Sequence, residues 1–257
     1  MTYTDDLNLA LKLADAADAI SLARFLALDL TVETKPDRSP VTDADRAVEL
    51  AIKDILASER PEDGIVGEEF GNSGSTTRKW IIDPIDGTAN YMRGVPVWAS
   101  LIALSIDGHA VVSVVSAPAL GRRWWAAPGI SQTSDIDGSV RDLKVSGIAD
   151  LEHASLSYNN LQLWDSHGYL DKLMSLSRKV WRTRAYGDFY SYMLLAEGAL
   201  EIVGEHDLKL YDIAALVPIV EQAGGRFTAF DGPLTEESSS VLATNGQLHD
   251  TLLELLT

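Results

Sequence analysis

The sequence predicts a layered, mixed α/β fold, and three observations carry that expectation. Helical apolar periods alternate with short apolar or alternating runs of strand type along the whole chain. Asp107-Gly108 separates two apolar runs, Val97–Ile106 and Ala110–Val115, which is a strong hairpin signal. With 257 residues, 46% of them hydrophobic and 23% charged, the chain can bury a large core as one domain or two closely joined lobes.

Taken in order, residues 5–27 place Leu9, Leu13, Ala16, Ala17, Ile20 and Ala23 at helical spacing. Leu28–Thr34 alternates like a strand, and Lys35–Pro40 is a loop with two prolines. Thr42 is an N-cap for a helix whose stripe is Ala44, Ala47, Val48, Ala51, Ile52 and Ile55. After a polar break at Arg60–Asp63, Gly64–Gly67 is a short strand running into Glu68-Glu69, and Asn72–Arg78 reads as a flexible loop. Trp80-Ile81-Ile82 ends a buried strand at Asp83. Beyond the hairpin, Arg122–Ala127 is a strand and Pro128-Gly129 a turn. Signals weaken between 130 and 150, where a lobe junction is placed, giving lobes of about 1–140 and 141–257.

The second half alternates again. Ala154–Tyr158 reads as a strand, Tyr169–Leu176 as a short helix, Val180–Arg184 precedes Gly187-Asp188, and 189–197 is helical in composition. Leu200–Val203 is a strand followed by a polar turn, Gly204–Lys209. Asp212 opens a helical run that Gly224-Gly225 ends, with a kink expected at Pro218, which removes one helical bond. Val241–Thr244 and a helix from Leu248 close the chain.

Charge and composition narrow the function. A net charge of −17 argues against nucleic acid or an anionic membrane as partner. An acidic protein binds a phosphate only where cations or oriented N–H groups reverse the local field, so the charge is consistent with bound metal. A solubility surface explains it as well. The absence of cysteine excludes disulfides and thiolate metal sites. No signal peptide or membrane-length apolar run is seen, so a cytoplasmic protein is expected.

The chemistry centres on Asp83-Pro84-Ile85-Asp86-Gly87-Thr88. Two carboxylates on a proline-stiffened turn repel each other unless a cation sits between them, and hard oxygen ligands suit Mg²⁺. Gly87 and the N–H groups near Thr88 could face a phosphate, although Asp, Pro, Gly and Thr are also ordinary turn residues. Asp45, Glu68-Glu69 and Asp212 also stand at ends of predicted elements. Taken singly, Asp45 and Asp212 read first as helix caps, whereas Glu is not a favoured cap. Together the carboxylates resemble a multi-metal phosphate site.

Gly67-Glu68-Glu69, the Asp83–Thr88 run with Asn90, and Asp212-x-Ala214-Ala215 followed by Ala223-Gly224-Gly225 resemble the signature blocks of the inositol monophosphatase superfamily, in order and across essentially the whole chain. Pro40–Arg46, Arg122-Arg123-Trp124-Trp125, Arg184–Asp188 and Thr244-Asn245-Gly246 are similar to the histidinol-phosphate phosphatases of that type. The resemblance implies an αβαβα fold, a homodimer, and hydrolysis of a small phosphorylated metabolite with two to three Mg²⁺ per site. It makes Glu68, Asp83 and the Ile85 carbonyl ligands of one metal, and Asp83, Asp86 and Asp212 ligands of another, with Glu68 near a third. It gives the phosphate to Gly87 and Thr88, pairs Asp45 with Thr88 or a water, and places Arg184 and Glu205 near the organic part of the substrate, beside Ile85, Asp86 and Asp212. Glu68, Thr88 and Asp45 are the expected catalytic residues.

Departures and rivals bear on this reading. Tyr211 and Tyr91 stand where Trp and Phe are usual, keeping an aromatic ring. Asp188 replaces a small hydroxyl residue, which disfavours inositol phosphate. Asp188, Glu205 or Asp207 would instead favour a cationic organic group. Asp-Gly-Thr also occurs in haloacid-dehalogenase-type phosphatases, but the position of their nucleophilic Asp is Pro84 here. A metal- or anion-binding regulatory module is the non-enzymatic alternative. His206 reads first as a solvated loop residue and only then as a substrate contact, Lys35 as an ordinary surface lysine or a local counter-charge, and Trp124-Trp125 as core or dimer contacts.

Overall fold

The computed structural model describes residues 3–36 and 38–256. Helix α1 (Thr4–Arg24) leads to strands β1 (Val32–Thr34) and β2 (Pro40–Thr42), which pair only with each other. Helix α2 (Asp43–Glu59) follows, then β3 (Gly64–Gly67), β4 (Gly71–Ser73), β5 (Arg78–Asp86) and the single turn α3 (Thr88–Tyr91). Strands β6 (Ala99–Ile106), β7 (His109–Ala117), β8 (Arg122–Ala127), β9 (Ile130–Ser134) and β10 (Val140–Asp142) complete an eight-stranded sheet of order β10-β9-β8-β7-β6-β5-β3-β4. Its pairs are antiparallel except β3 with β5.

Then come β11 (Ser155–Tyr158), α4 (Leu161–Ser166), α5 (Leu170–Ser177), β12 (Arg182–Arg184), α6 (Asp188–Ala196) and β13 (Ile202–His206). The chain ends with α7 (Leu210–Ile213), α8 (Leu216–Gln222), β14 (Arg226–Thr228), β15 (Ser240–Thr244) and α9 (His249–Leu256). The second sheet has the order β12-β11-β13-β15-β14.

Side-chain alternation along β5 builds the layers. Trp80 and Ile82 face α1 and α2, packing with Leu13, Ala17, Val48 and Ile52. Ile81 faces the other way, into a core shared with Phe189 and Met193 of α6 and Leu216 and Ile219 of α8. Val203, Val241 and Ala243 of the second sheet close that core. The sheet's far face packs Leu156, Ile202 and Leu242 against Trp164, Leu173 and Leu252 of α4, α5 and α9. The result is the expected αβαβα stack, with Asp83 on the side of β5 that faces the middle helices.

The Asp107-Gly108 hairpin forms as expected, both residues having positive φ (52° and 80°). Trp124 is fully buried and donates its indole N–H to Glu197 at 2.6 Å. Tyr91 is buried beside Trp98 and Phe25, and its hydroxyl donates to the Ser21 carbonyl at 2.7 Å.

Several expected boundaries differ. Only Val32–Thr34 of the run from Leu28 is a strand, because its ladder with β2 ends at Val32 opposite Thr42, and Thr31 instead bonds Asp43 at the start of α2. The expected loop at 72–78 shrinks, since Gly71–Ser73 pairs with β3 and Arg78 already belongs to β5. Within the quiet stretch 130–150, β9 and β10 extend the first sheet to its edge, where polar strands are tolerated. Helix α4, capped by the Asn160 side chain, had no clear signal. The expected turn at Gly204–Lys209 is corrected most: Gly204, Glu205 and His206 continue β13 and are buried.

The helical run expected from Asp212 is interrupted rather than straight: it divides at Ala214-Ala215 into α7 and α8, three to four residues ahead of Pro218, which stands in the first turn of α8 and has no N–H to offer the Ala214 carbonyl.

Candidate metal centre

The register of β5 changes between Asp83, opposite Leu101, and Asp86, opposite Ala99. Residues three apart on a regular strand point to opposite faces, and one extra residue in a bulge returns them to the same side. Pro84 fits there because it has no N–H to offer the ladder, and its carbonyl accepts from Ser100 Oγ at 2.7 Å. The turn then closes at Gly87 (φ 82°), where a Cβ would lie 3.0 Å from the Val97 carbonyl and 3.1 Å from an Asp188 oxygen. Only glycine suits both the space and the angle.

Across the gap, α7 presents Asp212. The backbone N–H of Lys209 donates to its Oδ2 at 2.6 Å, so Asp212 caps its helix with one oxygen. One oxygen from each of Asp83, Asp86 and Asp212 lies within 4.8 Å of the other two. Asp45 is divided in the same way. Its Oδ2 accepts from the N–H and hydroxyl of Thr42 at 2.8 and 2.6 Å, forming the capping box, while Oδ1 faces Thr88 Oγ1 at 3.2 Å. Both aspartates therefore cap a helix and also stand beside the Asp83–Thr88 run. The Thr88 hydroxyl also meets the Ile85 carbonyl at 2.9 Å.

Glu68 leaves the end of β3 and lies outside the close trio, with Lys35 Nζ bridging it at 2.7 Å and Glu69 at 2.5 Å. Lys35 is thus a counter-charge at the site rather than an ordinary surface lysine. Glu49 on α2 was not anticipated: it is fully buried and accepts from the N–H groups of Glu69 at 2.8 Å and Phe70 at 3.1 Å. Its place four residues after Asp45, on the same helix face, was the available signal.

On the opposite flank, Glu205 accepts from the Tyr192 hydroxyl at 3.0 Å, and Asp188 (φ 48°) accepts from Asn90 Nδ2 at 3.1 Å. The N–H of Phe189 donates to Asp86 Oδ2 at 2.7 Å, tying α6 to the bulge. Arg184 is exposed on an edge strand and donates to the Thr183 carbonyl. Asp207, 57% exposed, stands near Lys209. His206 is the clear correction: it is buried on the far face of β13, against Trp164 and Phe230, not in a solvated loop.

Burial and mutual repulsion dominate the electrostatics. Burial, with Glu68, Asp86 and Asp212 adding to it, holds the Asp83 carboxyl well above the usual range. Asp86 is raised by burial and by Asp188 and Asp212. Burial pushes Asp212 up to about 7, against the Lys209 hydrogen bond, and Glu205 up to about 8, helped by Asp188. Asp83 Oδ1 and Glu205 Oε1 are buried without a hydrogen-bond partner among the described residues. Such groups call for a cation, and an all-oxygen donor set fits magnesium.

The inositol monophosphatase family model matches residues 3–257, and the chain belongs to that family. It is 54% identical to a histidinol-phosphatase of Mycobacterium tuberculosis over 254 residues, covering 98% of both chains. It is 52% identical to a histidinol-phosphatase of Streptomyces coelicolor, over 99% of this chain and 97% of that one. Among solved structures, an inositol monophosphatase from Zymomonas mobilis superposes with a TM-score of 0.86 at 36% identity, covering 100% of this chain and 99% of the other.

Proposed function

We propose that this chain is a magnesium-dependent phosphate monoester hydrolase that converts histidinol phosphate to histidinol and phosphate, a step of histidine biosynthesis. The observation that carries the reading is the convergence of Asp83, Asp86 and Asp212 within 4.8 Å beside the Gly87-Thr88 turn. Identity above half to two histidinol-phosphatases supports the substrate. In this reading Glu68, Asp83 and the Ile85 carbonyl would hold one Mg²⁺ and Asp83, Asp86 and Asp212 a second, with Glu68 near a third. Bound magnesium supplies an activated water and neutralises charge on the phosphoryl oxygens.

The chain's own groups do the rest. Gly87 and Thr88 hold the phosphate, and Asp45 orients the Thr88 hydroxyl so that the pair steers the attacking water's proton. Water attacks phosphorus in line, the P–O ester bond breaks, and the leaving oxygen is protonated to give the alcohol. Histidinol carries an ammonium and an imidazole, which Asp188 and Glu205 attract, with Arg184 at the rim of the site. Residues 1–140 supply most metal and phosphate contacts; residues 141–257 supply Asp212 and the organic-group contacts. A cytoplasmic homodimer completes the proposal.

The deciding experiment measures phosphate release from histidinol, inositol, sugar and nucleotide phosphates, with magnesium and with chelator. The highest kcat/KM is expected on histidinol phosphate, with release abolished by chelation. A flat panel would favour a broad family phosphatase, and magnesium binding without release a regulatory module.

A further inference from the structure

A second concave site lies on the other side of the helix that carries Asp212. It is a cavity of about 720 Å³, within the range of small-molecule sites. Its floor is apolar: Ile81 of β5, Leu210 and Ile213 of α7, Val217 of α8, Phe227 of β14 and Phe230 just beyond that strand. The ionisable groups around it are the acids Glu221, Asp231 and Glu236 together with His109, and among the described residues no lysine or arginine lines it. Glu236 is the informative residue. Lys79 Nζ pairs with its Oε2 at 2.7 Å, while Oε1 is buried with no hydrogen-bond partner among the described residues. That oxygen is turned away from the open space, but the Glu236 side chain is 33% exposed and, with the exposed Glu221 and Asp231, gives the cavity an acidic rim that the cationic head group of an apolar molecule complements.

We propose that this cavity binds a small amphipathic amine, its ring or chain against Ile213, Val217 and Phe227 and its ammonium on Glu236. Leu210, Ile213 and Ala214 belong to α7 or its immediate end, so the ligand packs against the segment that holds Asp212. Occupancy is therefore coupled to magnesium affinity, and by linkage the coupling is reciprocal. The site does not depend on which phosphate ester is the substrate.

The test uses 2-phenylethylamine as probe, with 3-phenylpropionate and ethylbenzene as anionic and neutral comparators. Binding is followed by calorimetry and by amide chemical shifts, with saturating magnesium and phosphate blocking the acidic site. The amine is expected to bind at least about tenfold more tightly than either comparator, with shifts at Val217 and Leu234. Leu234→Trp, which fills the cavity from a loop, should abolish binding, and Glu236→Gln should erase the preference for the amine. Thermal unfolding checks that both variants fold, and the comparators on unaltered protein decide the matter if either does not. No binding, equal binding of the three probes, or unchanged binding in a folded Leu234→Trp protein would overturn the site. Magnesium affinity that is the same with and without saturating amine would overturn the coupling.

Discussion

Asp83 is 2% exposed, carries an oxygen without a partner, and faces Glu68, Asp86 and Asp212. Asp83→Asn should lower kcat by about 10²-fold or more at saturating magnesium, with weaker magnesium binding by calorimetry. The two oxygens of Asp45 can be separated experimentally. Asp45→Asn retains an acceptor for the Thr42 N–H but alters the group facing Thr88, so kcat should fall about 10²-fold with little change in unfolding temperature. Thr42→Ala should instead cost about 1 kcal/mol of stability through the lost cap. Wild-type turnover in Asp45→Asn would remove Asp45 from the proton path. These side chains were legible in the sequence because each belongs to a compact block with its own turn or cap. Lys35 was harder to read, since the glutamates it bridges, Glu68 and Glu69, lie far along the chain on another element.

At the scale of elements, α2 does more than cover the sheet. Its first turn presents Asp45 to Thr88, and one turn later Glu49 holds the amides that follow Glu68. A methyl group on Gly67 would come within 1.9 Å of a Glu49 oxygen, so the two are packed without slack. Glu49→Ala leaves two amides unpaired, at about 1–3 kcal/mol each, and should also weaken magnesium binding by releasing the Glu68 loop. Unfolding and metal titration of the same variant check both effects; lost stability with unaltered metal affinity would limit Glu49 to a structural role. The bulge in β5 belongs to this scale too. The sequence offered Pro84 as a stiff turn, but the register shift that turns Asp86 back beside Asp83 depends on β6 lying alongside.

Across the whole molecule, the acidic centre sets a dependence on pH. Asp212 and Glu205 have folded pKa values raised by burial to about 7 and about 8, above their ordinary range. A raised carboxyl contributes stability while protonated, and that contribution is lost as pH rises through the folded value. His206 and His249, lowered by burial to about 4, act in the opposite sense, but only below their ordinary value of 6.5. Between pH 6.5 and 8.5 the metal-free protein should therefore lose thermal stability as pH rises. Saturating magnesium should flatten the slope, because it takes the place of the protons. Unfolding scans in chelator and in magnesium test this, and a slope indifferent to magnesium would separate the carboxylates from the metal. No helix among the described residues is long and apolar enough to cross a membrane.

Local chemistry alone determined the capping box at Thr42, the Asp107-Gly108 hairpin, the alternation of Trp80, Ile81 and Ile82, and the acids at element ends. Each depends on residues a few positions apart, where spacing translates directly into geometry. Tertiary structure decided what those residues meet. It drew Gly204–His206 into a buried strand because β11 and β15 flank it, made Lys35 a bridge to two glutamates, and set Asp212 opposite a bulge more than a hundred residues earlier. Long-range pairing and burial fix these contacts, and they leave no periodicity in the sequence to read.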